Sequence, residues 1–251
     1  MKVTSQSSEL WKNCIGAISN LIDEAAFRFT SDGVRMEAMD PSHVALVDFS
    51  IPSSSFEEYE VGKNQVLGVD LIEMDKVVSR AKKNDKFTIE LDEDKNRLEL
   101  KFEGASTRRF SLPLIEVEEE EPPQPELDFT SSAKVQAGIV QDGLKDASLV
   151  TDNVRFVMEE GKFMMKTESD TGSSEMELAK DSEGLEKLEV KESSNAMYNI
   201  GYLEDMLKAV SSNDFIEVSL GQDIPIKLDF SIGGDGGQLK FLLAPRIEAE
   251  Q

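Results

Sequence analysis

The sequence predicts an α+β protein of two similar domains, each with two helices packed on antiparallel sheets. Three observations carry this. First, Glu118 to Glu121 followed by Pro122, Pro123 and Pro125 interrupts the 251 residues near their midpoint. Four adjacent carboxylates repel and proline removes amide donors, so the segment is an extended linker. Second, each half reads twice as one amphipathic helix followed by several alternating strands, an internal repeat. Third, helices do not alternate with single strands, which excludes a parallel βαβ sheet. The expected layout is a domain over 1–114, a linker over 115–126 and a second domain over 127–251.

Residues 8–22 predict the first helix, because Trp11, Ile15, Ile18 and Ile22 share one face. Strands follow at 25–30, 34–38 and 44–51, the first two joined by a Ser31-Asp32-Gly33 turn. A second helix fits 70–83, with Leu71, Met74, Val78 and Ala81 on one side, then strands at 86–91, 97–103 and 107–114. In the second half, Ala133, Ala137, Val140 and Leu144 predict a helix over 133–145. Strands are expected near 147–151, 153–159, 161–168 and 174–179. The last quarter is a helix over 201–211 with Leu203, Met206, Leu207 and Val210, then strands near 214–220, 225–232 and 237–243. Phe87–Phe102 and Phe215–Phe230 correspond as strand pairs in the two halves.

Composition narrows the chemistry. Fifty acidic against 27 basic residues give a net charge of −23, unsuited to gripping nucleic acid over the general surface or docking on anionic membranes. The N-terminus has no apolar signal segment and no 18-residue apolar run occurs, so a soluble intracellular chain is expected. Cys14 is the single cysteine, which rules out an internal disulfide and fits a reducing compartment. It lies on the apolar side of the first helix, where a buried inert thiol outweighs a nucleophile. His43 is the single histidine, which removes nearly every His-based catalytic or metal constellation. Gly233 to Gly237 joins two strands and reads as a turn, not a phosphate cradle.

The stretch starting Asp92-Glu93-Asp94 imitates a calcium loop, with Glu103 at the twelfth position, but Arg97 occupies the sixth position where glycine is needed. No metal or cofactor is expected. A carboxylate-dependent, metal-using hydrolase stays as the alternative from a different class, although nothing selects one acidic pair.

Basic residues are informative because they are scarce. Lys76, Arg80 and Lys83 fall at i, i+4 and i+7 on the second predicted helix, and Lys12, Lys134, Lys145 and Lys208 lie on the other three. Over the four predicted helices, eight bases face seven acids. A surface shared by all four would be far less negative than the rest, and screened from the outer acid over a Debye length of about 8 Å.

Several segments together resemble the proliferating cell nuclear antigen family of sliding clamps. They are Leu21-Ile22-Asp23-Glu24-Ala25, Met39-Asp40-Pro41-Ser42-His43-Val44, Gly68-Val69-Asp70-Leu71 and Leu242-Leu243-Ala244-Pro245-Arg246-Ile247. Residues 106–115 resemble the archaeal branch. The resemblance implies a non-enzymatic, ring-shaped homotrimer with helices lining a hole through which duplex DNA threads, without cofactor or membrane. It also implies recruitment of DNA polymerase, clamp loader, flap nuclease and ligase, and a cytoplasmic location in an archaeon or a nuclear one in a eukaryote. A subunit of a heterotrimeric clamp is the alternative within the family.

By family position Lys12, Lys76, Arg80 and Lys208 would face DNA, while Lys83, Lys134 and Lys145 join them through the helix assignments alone. Ring closure would pair the edge strand near 105–112, carrying Arg108, Arg109 and Phe110, with the edge near 174–180, carrying Glu175 and Glu177. A basic edge meeting an acidic one favours head-to-tail association. A short partner motif with one aliphatic and two aromatic residues would enter a pocket formed by Met39, His43, Val44, Leu46, Val117, Pro225, Leu242, Ala244 and Pro245, with His43 as a polar rim residue.

Overall fold

The computed structural model describes residues 1–117, 126–234 and 236–247. The glutamate–proline run assigned to the linker and Asp235 of the glycine-rich turn lie outside the described residues. The chain divides into two compact units. The first comprises Met1–Pro41, Leu46–Pro122 and Ser231–Leu239; the second comprises Ser42–Ala45, Pro123–Phe230 and Lys240–Gln251.

Each quarter opens on a strand that runs into its helix. In order these are β1 (Lys2–Ser5) and α1 (Glu9–Ile18), then, later in the chain, β6 (Gln65–Asp70) and α2 (Leu71–Val78). In the second half they are β10 (Ser131–Gln136) and α3 (Ala137–Ser148), then β15 (Ser194–Asn199) and α4 (Ile200–Leu207). The last residue of β6, β10 and β15 is also the helix N-cap, extended at ψ 109°, 126° and 128° for Asp70, Gln136 and Asn199. Asp70 accepts from the Glu73 amide at 2.8 Å and Asn199 from the Tyr202 amide at 3.3 Å, satisfying amides that the helix leaves open.

The remaining strands of the first half are β2 (Glu24–Thr30), β3 (Gly33–Met39), β4 (Ala45–Pro52), β5 (Glu58–Glu60), β7 (Lys86–Asp92), β8 (Arg97–Glu103) and β9 (Thr107–Pro113). A 3₁₀ turn over Ser53–Ser55 separates β4 from β5. The second half adds β11 (Asn153–Glu159), β12 (Lys162–Ser169), β13 (Gly172–Ala179), β14 (Leu185–Val190), β16 (Phe215–Leu220), β17 (Ile226–Ile232) and β18 (Gly237–Leu243). In the first unit one sheet runs β5-β1-β7-β8-β9, and β4-β3-β2-β6 form a second run. In the second unit one sheet runs β13-β12-β11-β15, and β14-β10-β16-β17 form the other run. All the described pairings are antiparallel.

Backbone bonds at the helix starts also tie the quarters together in pairs. The Ser8 amide, at the start of α1, donates to the Asp85 carbonyl before β7 at 2.9 Å, and the Leu71 amide of α2 donates to the Asp23 carbonyl before β2 at 2.8 Å. The second unit repeats this: Ala137 of α3 donates to Asp214 O at 2.8 Å, and Ile200 of α4 to Asp152 O at 2.9 Å. Each helix start is thus anchored on the strand that follows the other helix.

The cores are apolar and aromatic. Trp11 sits among Phe27, Phe49 and Phe87 with ring centroids 6.4, 5.8 and 6.0 Å away, and its indole N–H donates to Ser5 Oγ at 3.1 Å. In the second unit Phe156 packs edge-on against Phe163 and Tyr198, whose hydroxyl donates to the Ile224 carbonyl at 2.7 Å. Gly143 lets α3 lie close on its sheet, since a Cβ there would come within 3.1 Å of Met165 Sδ and 3.3 Å of Met176 Cε.

The helices are shorter than their apolar stripes predict. The 8–22 stripe is helical only over Glu9–Ile18, the 70–83 stripe only over Leu71–Val78, and the 201–211 stripe only over Ile200–Leu207. The stripe expected over 133–145 starts as strand, in β10: α3 begins at Ala137 and runs through Ser148, replacing the strand expected near 147–151.

Candidate functional site

The helices pair within each unit, α1 with α2 and α3 with α4. Gln141 of α3 donates its amide to the Leu207 carbonyl at 3.2 Å, and Lys12 Nζ of α1 donates to the Ala81 carbonyl at 3.3 Å. Of the seven basic residues expected to face DNA from the helices, Lys12, Lys76 and Lys145 lie on α1, α2 and α3, and Lys208 is the C-cap of α4. The other three do not. Lys134 belongs to β10, whose residues are buried alternately; it points outward, 2.7 Å from Glu186 and 5.9 Å from the centre of the Phe215 ring.

Arg80 and Lys83 follow the end of α2. There the amides of Arg80 and Ala81 turn back to the carbonyls of Val77 and Val78, and the Lys82 amide goes to the Asp85 side chain at 3.0 Å. Lys83 Nζ lies 3.7 Å from Glu9.

This corrects the charge balance of the helices. With the Lys208 cap, the four helices carry seven acids (Glu9, Glu73, Asp75, Asp142, Asp146, Glu204 and Asp205) against four bases. Three of the bases are neutralised one turn back on their own helix: Lys76 by Glu73 at 2.5 Å, Lys145 by Asp142 at 2.9 Å and Lys208 by Asp205 at 2.6 Å. The Glu73 and Asp142 carboxylates hold the Lys76 and Lys145 ammonium groups above the ordinary lysine range.

The two expected interface strands both lie at sheet edges, β9 in the first unit and β13 in the second. Along β9 exposure alternates: Arg109 and Ser111 are exposed, while Arg108, Phe110 and Leu112 are half-buried opposite Phe102, Leu100 and Leu98 of β8. The two arginines therefore have different jobs. Arg108 turns inward, its guanidinium 5.2 Å from the Phe102 ring centre, donating to the Arg80 carbonyl at 2.7 Å and pairing with the buried Asp85 carboxylate. Its charge is met within the chain, and Arg109 is the outward base.

On β13, Glu175 and Glu177 are exposed, as expected, and pair with Lys166 at 3.0 Å and Lys162 at 3.3 Å on β12. The alternate residues Ser174, Met176 and Leu178 are half-buried toward α3. Sequence reasoning missed Leu112, Met176 and Leu178, although period-two alternation within the named strands would have found them. It also missed Leu149, the α3 C-cap, a leucine with 86% of its surface exposed.

The residues expected to form a partner pocket divide between the units. In the first, Met39 is half-buried opposite the buried Leu46 in the β3–β4 register. The chain leaving β9 docks on β6 through the Ile115 amide, which donates to Gly68 O at 3.0 Å. Only glycine fits there: a Cβ on Gly68 would lie 2.1 Å from Ile115 O and 2.9 Å from Val117 Cγ2. In the second, the Ala244 amide donates to Val44 O at 2.8 Å; Leu242, Ala244, Pro245 and Pro225 are half-buried, while His43 is exposed in the left-handed region at φ 56°.

Elsewhere Cys14 is fully buried, and burial pushes its thiol up to about 12, as suits an inert core residue. Among the described residues no group of three His, Cys, Asp or Glu side chains is placed to hold a metal, and no helix is long and apolar enough to cross a membrane.

Comparison with known proteins gives one consistent picture. The family models for proliferating cell nuclear antigen match the chain end to end, the N-terminal domain over residues 1–121 and the C-terminal domain over 124–246. Among curated relatives, the DNA polymerase sliding clamp 1 of Thermococcus kodakarensis is 41% identical and the DNA polymerase sliding clamp of Pyrococcus furiosus 40% identical, each over 98% of both chains. Among solved structures, proliferating cell nuclear antigen (PCNA) from Thermococcus kodakaraensis matches with a TM-score of 0.94 at 31% identity over 98% of this chain and 99% of that one. A PCNA2–PCNA3 complex from Sulfolobus tokodaii matches at 0.90 with 31% identity over 98% and 99%. The A. fulgidus PCNA bound to the C-terminal region of FEN-1 matches at 0.89 with 28% identity over 99% of each chain.

Proposed function

The chain belongs to the proliferating cell nuclear antigen family, and we propose that it is itself a DNA sliding clamp: a non-catalytic, cytoplasmic ring of three identical subunits that encircles duplex DNA and tethers DNA polymerase and other replication and repair proteins. The observation that carries this reading is the pair of open edge strands. β9 presents an outward arginine over an apolar row, and β13 presents outward glutamates over another. An open edge invites a strand from another chain, and opposite charge on two different edges favours heterologous pairing, which closes into a ring when the rotation allows.

In this reading α1 to α4 line the hole, and Lys12, Lys76, Lys145 and Lys208 face the DNA with Arg80 at the end of α2. Topological closure retains the ring on the duplex, so phosphate contacts can be few, which permits sliding. Met39, His43, Val44, Leu46, Val117, Pro225, Leu242, Ala244 and Pro245 receive the aliphatic and aromatic side chains of a partner's short motif. Burying three such side chains gives roughly 5–8 kcal/mol before association costs, so exchangeable micromolar binding is expected. The relative seen with a segment of FEN-1 supports a flap nuclease among the partners; polymerase, ligase and clamp loader are expected to use the same surface.

The test is the native mass across salt concentrations, followed by polymerase run length on a primed circle. A particle of three 27.9 kDa chains that extends the run length upholds the reading. A monomer that gains mass only with a paralogous chain indicates a heterotrimer, as the PCNA2–PCNA3 neighbour suggests. A monomer with no effect on synthesis overturns it.

A further inference from the structure

The helix lysines that a sliding clamp would offer to DNA are, in this chain, matched by acids of a repeated design. On α2, α3 and α4 the base sits at or just beyond the last turn, and a carboxylate three residues earlier holds it: Glu73–Lys76, Asp142–Lys145 and Asp205–Lys208, at 2.5, 2.9 and 2.6 Å. These carboxylates are not caps. The N-caps of α2 and α4 are Asp70 and Asn199, and Glu73 takes part in that cap only through its backbone amide. Glu73 lies in the first turn of α2, where the helix dipole favours a carboxylate, but Asp142 lies mid-helix and Asp205 in the last turn of α4, where it does not.

An exposed pair at this spacing stabilises a helix by only a few tenths of a kcal/mol. The pairs of Asp142 and Asp205 therefore do little for the fold, and other acids lie nearby. Asp70 also acts on Lys76, and Asp146 and, from α4, Glu204 act on Lys145.

From this pattern, and resting on the reading that these helices face DNA, we propose that Glu73, Asp142 and Asp205 restrain the grip of the ring on duplex DNA by occupying the lysines that would bind phosphate. Each lysine must exchange a carboxylate for a phosphate to make a contact. Such an exchange releases fewer counterions than a free lysine would, so the hold on DNA is weak and only shallowly dependent on salt. Glu73, Asp142 and Asp205 are positioning residues in this proposal, acting on DNA through the lysines.

The experiment compares the assembled wild-type ring with E73Q/D142N/D205N and K76Q/K145Q/K208Q. A fluorescent duplex is titrated with each over a series of potassium chloride concentrations, after native mass and thermal melting confirm an intact ring. The amides keep size and hydrogen bonding, and the three single variants E73Q, D142N and D205N are carried in parallel in case the triple one does not assemble. The expected result is tighter binding by the amide variant, by roughly tenfold at low salt, with a log–log salt slope steeper by about one to three. The glutamine-for-lysine variant should bind more weakly than wild type.

If the amide variant binds no tighter, or tighter without a steeper slope, while loss of the lysines still weakens binding, the helices face DNA but the carboxylates do not restrain it, and the proposal is overturned. If neither variant changes binding, the reading that places these helices against DNA fails, and the proposal falls with it.

Discussion

Arg108 and Asp85 form an ion pair beneath the end of α2, with Asp85 only 4% exposed. Both ends of the pair are tied further, since Arg108 also holds the Arg80 carbonyl and Asp85 also holds the Lys82 amide. The edge strand β9 is thereby pinned to the loop between α2 and β7 before any neighbour arrives. Adjacent arginines on one strand, indistinguishable by composition, are separated by the pleat into a fixture of the fold and a group offered outward.

This separation predicts different outcomes for two similar variants. R109E should lower the native mass from trimer to monomer while leaving the unfolding of the monomer unchanged. R108E should leave a buried carboxylate beside a new one and destabilise the chain itself by about 3 kcal/mol or more. Light scattering and urea unfolding on both proteins check this, with stabilities compared at one protein concentration because assembly contributes to stability.

Trp11 is the only tryptophan, and it is buried in the aromatic cluster of the first unit. Its fluorescence should follow that unit alone. W11A should cost about 3–5 kcal/mol, the usual loss for deleting a buried large aromatic. W11F should cost less, because a ring still fills the cluster, and its remaining cost includes the lost bond to Ser5. Circular dichroism against denaturant measures both.

Val44 is 36% exposed and its carbonyl, not its side chain, receives the Ala244 amide. V44D should therefore fold normally and keep the native mass. It should weaken a peptide carrying the aliphatic–aromatic partner motif by at least roughly tenfold, the scale of one lost apolar contact plus a buried charge. Calorimetric titration of the peptide onto both proteins reads this out.

Two tyrosines should titrate late. Burial, with the nearby Asp32 charge, pushes Tyr59 from the ordinary 10.0 up to about 12. Burial, with the Asp223 charge, raises Tyr198 further. Because the folded values exceed the unfolded one, the fold favours the neutral phenols. That stabilisation is complete below pH 10 and is lost as pH rises toward and through 12. Tyrosinate absorbance should show these two groups silent until the chain begins to unfold in alkali, and Y59F should unfold at higher pH than wild type.

Much of this architecture was legible in the sequence, and the misreadings have a common physical origin. Ala133 and Ala137 are four apart, as on a helix, but Val135 between them is buried too, and a strand's period of two also produces a spacing of four. That ambiguity put Lys134 on the wrong element. The ends of α1, α2 and α4 were overrun because apolar residues such as Ile22, Ala81 and Val210 continue the stripe through turns that keep the same face inward.

The short opening strands β1, β6, β10 and β15 were missed, since their residues count for little until a long-range partner pairs with them. The edge strands β9 and β13 were located correctly. Which arginine faces outward depends on the register with β8, and one sequence carries no register. The self-neutralised lysines were all visible as i, i+3 pairs, but only with the true helix ends does their share of the helix charge emerge.

The reciprocal bonds between quarters have the form of a contact between two like molecules. In each unit, helix start A rests on a carbonyl of B, and helix start B rests on the equivalent carbonyl of A: Ser8 with Asp85 and Leu71 with Asp23, then Ala137 with Asp214 and Ile200 with Asp152. A contact that each partner both gives and receives is the signature of a twofold homodimer. A lone quarter would leave both its amide and its carbonyl unmet, and a second identical copy would meet both at once. Each unit thus carries, within one chain, the reciprocal contact geometry of a twofold homodimer.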